Sequence, residues 1–336
     1  MPRVSARRLS LTVVAMSLIA ACDTTREPGD LIAPGLSDLL VLDAILIVDR
    51  PLPPLHVRQT LAADRPYSHT AAAVTGATVV LETPEGIWIY GDDPDSAGRY
   101  LPPDGVPVVH AMTRYRLSVD SEGRRASAET VTPERVHIEE AMLLDEETLE
   151  VLRPMVTFAE TDWEGVFGAP ENQVPYLSAL PELRFDPVDV SAYQVGILRL
   201  DQGSPPVIDL SFLDEESREE IYEQTRFGAQ SPPMNIDSGR LKMPWFAIVF
   251  GGPHLVRLFA IDENWFDYIR SNGVDTDNRW GGLAGDAFER PIFHVDGGIG
   301  LLGSASTDSI GLVILPGGAI SKAQNPAREL IRTPIP

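Results

Sequence analysis

The chain has 336 residues, with 27 Lys and Arg against 49 Asp and Glu, a formal charge of −22. A field of that sign repels nucleic acid and anionic membrane surfaces and excludes both as electrostatic partners. Cys22 is the only cysteine, so no intrachain disulfide braces the fold and its stability rests on packing.

The chain starts with Arg3, Arg7 and Arg8, continues in an apolar run from Leu11 to Ile19, and reaches Ala20, Ala21 and Cys22. A charged start, a short apolar stretch and small residues at the cut make 1–21 a secretory leader. The apolar run is about half of the roughly 20 residues that a spanning helix needs. Leu18-Ile19-Ala20-Ala21-Cys22 resembles the lipobox of bacterial lipoproteins, which implies a diacylglycerol on the Cys22 thiol and a new amino terminus at that residue. Removing the leader takes three arginines and no acid, leaving 24 bases against 49 acids and a charge of −25.

Residues 22–35 are poor in apolar side chains and read as a tether. The β-prone run Leu39–Val48 predicts the first strand, followed by Leu55–Thr60, Ala77–Glu82, Ile87–Tyr90, Thr113–Val119 and Arg125–Val131. Apolar and polar residues alternate through Tyr115–Val119, as a strand with one wet face requires. Asp120-Ser121-Glu122-Gly123 supplies the turn of a hairpin between the last two. Six short strands with no helical period between them predict an immunoglobulin-like β-sandwich over 36–134.

Beyond Thr132-Pro133-Glu134 the pattern is mixed and predicts a second, β-rich α+β domain over 135–316, with a flexible tail over 317–336. Glu139–Leu152 has a helix-compatible composition, Trp163–Pro175 reads as a long loop, and Gln194–Leu200 reads as a strand. Asp214–Gln224 predicts a helix with acids in its first turn, where the helix dipole favours them. Trp245–Phe250 and Leu255–Ile261 read as strands joined by a hairpin turn at Gly251-Gly252-Pro253-His254. Asp262 is placed to cap a helix carrying Trp265, Phe266 and Ile269, and Ile292–Val295 and Ile310–Leu315 are the last core strands. The fold class is mainly β.

Several segments together carry a family resemblance. After the lipobox and the Leu/Val-rich first strand come Gly76-Ala77-Thr78-Val79-Val80-Leu81-Glu82, Gly98-Arg99-Tyr100 and Tyr115–Val119 with Gly123 behind it. Trp265-Phe266-Asp267-Tyr268-Ile269-Arg270-Ser271 and Asp296-Gly297-Gly298-Ile299-Gly300-Leu301-Leu302-Gly303-Ser304 follow near the end. The chain resembles the bacterial lipoproteins grouped as domain of unknown function 4249 over most of 20–316. The resemblance implies an outer-membrane lipoprotein with a sandwich domain first, working beside TonB-dependent receptors. It implies no catalytic residue.

Motifs for nucleophilic or zinc hydrolysis are absent from the sequence. Gly298-x-Gly300-x-x-Gly303 matches a dinucleotide fingerprint in form, but no βαβ unit surrounds it, and glycines of a bulged strand or turn are the better reading. The six histidines lie apart without ligand spacing, and His254, His294 and Asp296 are the one trio left for the fold to assemble. Asp275 and Asp277 place hard oxygens at alternate positions and form the candidate Ca2+ site, against the plainer reading of a solvated acidic loop. No other cofactor is expected. Trp163, Tyr176 and Trp280 are the candidate ligand-binding aromatics, with plugs at the sandwich ends as the competing role. Three function classes follow, in this order. The first is a non-catalytic binding or accessory module of an envelope uptake system of TonB-dependent type, anchored through Cys22. The second is a structural or adhesive surface lipoprotein, and the third an envelope hydrolase.

Overall fold

In a computed structural model, Leu40, Leu42, Ala44 and Leu46 bury one face of β1 (Leu40–Ile47) and leave Asp43 on the other. The structure describes residues 38–62, 65–176, 179–243, 248–271 and 291–315. β2 (Leu55–Gln59) runs antiparallel to β1, the short helix α1 (His69–Ala72) follows, and β3 (Thr78–Thr83) pairs with β4 (Gly86–Asp92). β4 pairs again through Gly91 and Asp92 with β5 (Arg99–Leu101), so this one strand passes between two layers. β6 (Arg114–Ser121) and β7 (Arg124–Val131) form the expected hairpin. Glu122 and Gly123 at its tip both have positive φ, 52° and 77°, the pair of values a type I′ turn needs. Leu42, Leu46, Leu81, Leu117 and Tyr100 are each at most 1% exposed, and the layers close on them. Each such leucine contributes about 1.5–3 kcal/mol by leaving water.

The second half adds β8 (Ile138–Asp145), β9 (Val151–Met155), α2 (Trp163–Gly168), a single 3-10 turn at Pro170–Asn172, and β10 (Gln173–Pro175). Then come β11 (Ala179–Phe185), β12 (Ala192–Arg199), α3 (Glu215–Gln224), β13 (Gly228–Gln230) and β14 (Arg240–Lys242). The chain continues through β15 (Gly252–Ile261), α4 (Glu263–Ser271), β16 (Val295–Asp296) and β17 (Gly298–Leu315). A four-stranded sheet in the order β14-β11-β8-β9 packs on β12, β15 and the end of β17 around Leu143, Leu183, Val256 and Leu312. The protein is mainly β, built on one large mixed sheet and this second one.

β17 runs through both cores. Its first half pairs in parallel with β1, from Leu40 opposite Gly298 to Ile47 opposite Ala305, and its second half pairs antiparallel with β15. Leu302 therefore belongs to the core of the N-terminal strands and Leu312 to the other. Gly300 makes the parallel pairing possible: its φ is +111°, and a Cβ there would lie 2.0 Å from the Leu42 carbonyl oxygen. The fingerprint glycines thus lie inside one continuous strand. Ser304, Ser306 and Asp308 alternate along it, and Ser306 Oγ and Asp308 Oδ2 accept the backbone N–H groups of Val136 and Ile138 at 2.9 and 2.7 Å. These bonds fasten the segment leading from β7 into β8.

Four sequence expectations need correction. Ile292–Val295 is no core strand: the strand there is β16, Val295–Asp296, and Ile292 and Phe293 are only half-buried. Glu139–Leu152 is not helical but runs through β8 and into β9, because Ala141 and Leu143, and Ile138 across a bulge, face one core and β8 gains β11 as a ladder partner. Tertiary burial overrides the helix propensity of its Glu, Leu and Met residues. Trp163–Pro175 is ordered as α2, the 3-10 turn and β10, because Asp162 caps the helix by accepting the Gly165 N–H at 2.9 Å. Gly251–His254 makes no hairpin turn. β15 begins at Gly252 and is laddered on β17 from there; Gly252 has φ +84°, and a Cβ on it would lie 2.2 Å from Ser204 Oγ. Of the strand expected over Trp245–Phe250, 245–247 lie outside the described residues, and the rest forms no strand beyond the bridge from Phe250 to Pro206.

Candidate functional site

Three places concentrate polar or aromatic chemistry. The first joins β7, β17 and the start of α4. Asp262 follows β15 and caps α4 by accepting the Trp265 N–H at 3.0 Å on Oδ1. Its Oδ2 accepts the Thr130 hydroxyl, and Ser304 Oγ lies 3.1 Å from the same oxygen and 2.8 Å from Thr130 Oγ1. Asn264 Nδ2 ties down the carbonyls of Glu129 and Leu302 at 2.7 and 2.9 Å. Burial pushes the Asp262 carboxyl up from its ordinary value, against the pull of these hydrogen bonds. With the residue 9% exposed, the network is a joint between the strands of both cores and has no access for a substrate.

The second cluster is on α4. Asp267 accepts Arg270 Nε at 2.6 Å on Oδ1 and His294 Nε2 at 2.8 Å on Oδ2. Burial acts to raise the Asp267 pKa, but the bonds from His294 and Arg270 outweigh it and the carboxyl is held below its ordinary value. Ser271 Oγ donates to the Asp267 carbonyl at 2.5 Å and accepts the Ile292 N–H at 2.8 Å, so its proton is committed to the backbone. A carboxylate orienting an imidazole is half of a general-base arrangement. The nucleophile half has no counterpart here, since Asp267 is the bonded partner of the His294 ring among the described residues.

The sequence trio of His254, His294 and Asp296 does not assemble. His254 is buried near the start of β15, opposite Arg199, with Nδ1 2.9 Å from the Gly252 carbonyl oxygen. Seven residues of strand, about 24 Å, separate it from the end of β15 that leads into α4. Asp296 pairs with Ser127 in the ladder of β16 and β7.

The third place is the ridge on α2. The Trp163 ring centroid lies 4.8 Å from Phe167 and 5.7 Å from Phe158, the latter nearly parallel at 24°. Phe167 and Val166 lie against Gly311 of β17, where a Cβ would come within 2.7 and 2.8 Å of them. Asn172 is fully buried and fixes the flank: its Nδ2 donates to the carbonyls of Val156 and Gly311 and its Oδ1 accepts the Val156 N–H, all at 2.8 Å. Gln173 Nε2 donates to the carbonyl of Phe167 at 3.2 Å. The platform is therefore tied to β17 and the Asn172 hub, yet Trp163 remains 52% exposed.

Of the candidate aromatics, then, Trp163 is at the surface. Tyr176 is 6% exposed within the second core and presents no open ring. Cys22, Trp280, Asp275 and Asp277 lie outside the described residues. Among the described residues no three His, Cys, Asp or Glu side chains converge as a metal site. Sequence reasoning missed the Asp267–His294 pair, the Asn172 hub and Arg199. The last is 6% exposed with its guanidinium 3.7 Å from the Phe250 ring centroid, donating to the carbonyls of Asp201, Gln202 and Ser204. Long-range packing creates the His294, Asn172 and Phe250 contacts, whereas the Asp267–Arg270 spacing and the loop after Arg199 are local. No protein-family model matches the chain, and no curated protein matches it.

Proposed function

We propose that this chain is a lipoprotein of the bacterial cell envelope, of the kind grouped as domain of unknown function 4249. In this reading it is held through lipid on Cys22, at the outer membrane, and acts without turnover as a binding or accessory module beside a TonB-dependent uptake receptor. The observation that carries the reading is Leu18-Ile19-Ala20-Ala21-Cys22 behind a basic, apolar leader in a chain with no second cysteine. A single acyl chain gives marginal, reversible membrane binding, at about 0.8 kcal/mol per buried methylene, whereas two or three make attachment durable. Leu40, which opens β1, follows Cys22 by 18 residues. That length lets the anchor point stand no more than about 60 Å from the fold.

A binding role is supported by an exposed aromatic ridge seated on β17. The test is a pull-down from detergent-solubilised membranes with tagged wild type beside Cys22→Ser. Recovery of an outer-membrane receptor with the wild type, weakened or lost in Cys22→Ser, is the expected result. Recovery of the lipoprotein alone overturns the accessory-module reading.

A further inference from the structure

The geometry points to the Phe158–Trp163–Phe167 ridge as a protein-docking surface whose partner lays a cationic side chain, arginine above all, over the exposed face of Trp163. The inference rests on the reading of the chain as a binding module and names its site and its partner class. An indole half in water is costly to keep, and this one is held by two phenyl rings and a helix seated on β17 rather than left on a loose loop. Such pre-ordering lowers the entropy lost on binding, and Trp is among the residues that dominate interface energetics.

Charge selects the partner. Residues 156–176 contain Glu160, Asp162, Glu164 and Glu171 and no Lys, Arg or His. Glu160 is turned to the Thr157 N–H and hydroxyl, and Asp162 to the helix cap, while Glu164 stands exposed beside Trp163. The nearby cation, Arg153, donates through Nη2 to the carbonyls of Pro170 and Gln173 and is half-buried beneath the turn. The ridge thus offers an exposed indole on a segment that carries four acids and no base, in a protein that is itself strongly acidic. A guanidinium satisfies both at once, by stacking on the indole and by facing the carboxylates.

The test uses the full lipidated chain in detergent and titrates hexa-arginine and hexa-lysine peptides at several salt concentrations. Wild type is expected to bind hexa-arginine the more tightly, with at least fivefold weakening in Trp163→Leu, about twofold in Glu164→Gln and partial retention in Trp163→Phe. Glu219→Gln on the exposed face of α3 is the charge-matched control and leaves binding unchanged. Equal binding by wild type and Trp163→Leu overturns the proposal. A photoreactive residue at Gly168, whose Cβ position is open, then reads the ridge in intact membranes. A crosslink to an arginine- or lysine-bearing segment that fades in Trp163→Leu supports it. Crosslinks solely to a second copy, a glycan or lipid overturn it. If a receptor is still pulled down by Trp163→Leu, the module reading stands and this surface is wrong. If hexa-arginine binds through Trp163 but no receptor is recovered, the surface stands and the module reading falls.

Discussion

Replacing Asp262 tests how the strands of the two cores are held together. In Asp262→Ala the Trp265 N–H loses its cap and the Thr130 and Ser304 hydroxyls lose a shared acceptor. The hydroxyls lie 2.8 Å apart and still satisfy each other in part, so about one buried donor is orphaned. Loss of a cap costs about 1 kcal/mol and an orphaned buried donor about 1–3 kcal/mol. Against these stands relief from keeping a carboxylate out of water, which leaves a net destabilisation of roughly 2 kcal/mol in urea melts. Asp262→Asn keeps the cap and the shape and removes only the charge.

The sign of the pH effect follows from the raised Asp262 pKa. A carboxyl whose folded pKa lies above its unfolded one contributes stability that is complete below the unfolded value, 3.8, and is lost as pH rises through the folded value. Wild type should therefore lose stability relative to Asp262→Asn as pH rises from 3.8 toward neutrality. Urea melts of both proteins across that range provide the assay. A difference that moves in favour of wild type with rising pH would refute the assignment of Asp262 as a carboxyl dominated by burial.

Other perturbations separate tolerated from essential features. Tyr90 is 3% exposed and its hydroxyl has no partner among the described residues, unlike Tyr100 Oη, which donates to the Val74 carbonyl and accepts the Ala77 N–H. Tyr90→Phe should thus leave stability unchanged or raise it by about 1 kcal/mol, and a loss of that size in thermal melts would show a missed partner. Gly300→Ala must both adopt a positive φ and move the Leu42 carbonyl, so it should open the β1–β17 ladder, seen as faster amide exchange at Leu42 and Ala44. Asp267 has a lowered pKa, so its stabilisation is present above 3.8 and disappears as pH falls through the folded value. Asp267→Asn should then flatten the acid limb of the stability profile, and an unchanged limb would contradict the Asp267–His294–Arg270 geometry.

Local signals carried the N-terminal strands and the two longer helices. The alternation in Tyr115–Val119, the acids in the first turn of the helix from Glu215 and the Asp262 cap ahead of Trp265 are all short-range and survived folding unchanged. β8 was lost to the same logic, because Glu, Leu and Met favour a helix until a distant strand, β11, supplies ladder bonds. The role of β17 was hidden for a similar reason: nothing near Gly298–Leu315 says that its halves serve different cores with opposite strand directions. For the candidate site, Trp163 was legible as an aromatic in a polar stretch, whereas the Phe158 and Phe167 rings that support it and the burial of Tyr176 depend on tertiary packing.

The central claim is the lipid on Cys22, and mass spectrometry of the amino-terminal peptide of the mature protein, purified from membranes, tests it directly. The account predicts a peptide beginning at Cys22 and heavier by a diacylglyceryl group, with or without a further acyl chain. A peptide that retains residues before Cys22, or carries an unmodified thiol, would contradict it.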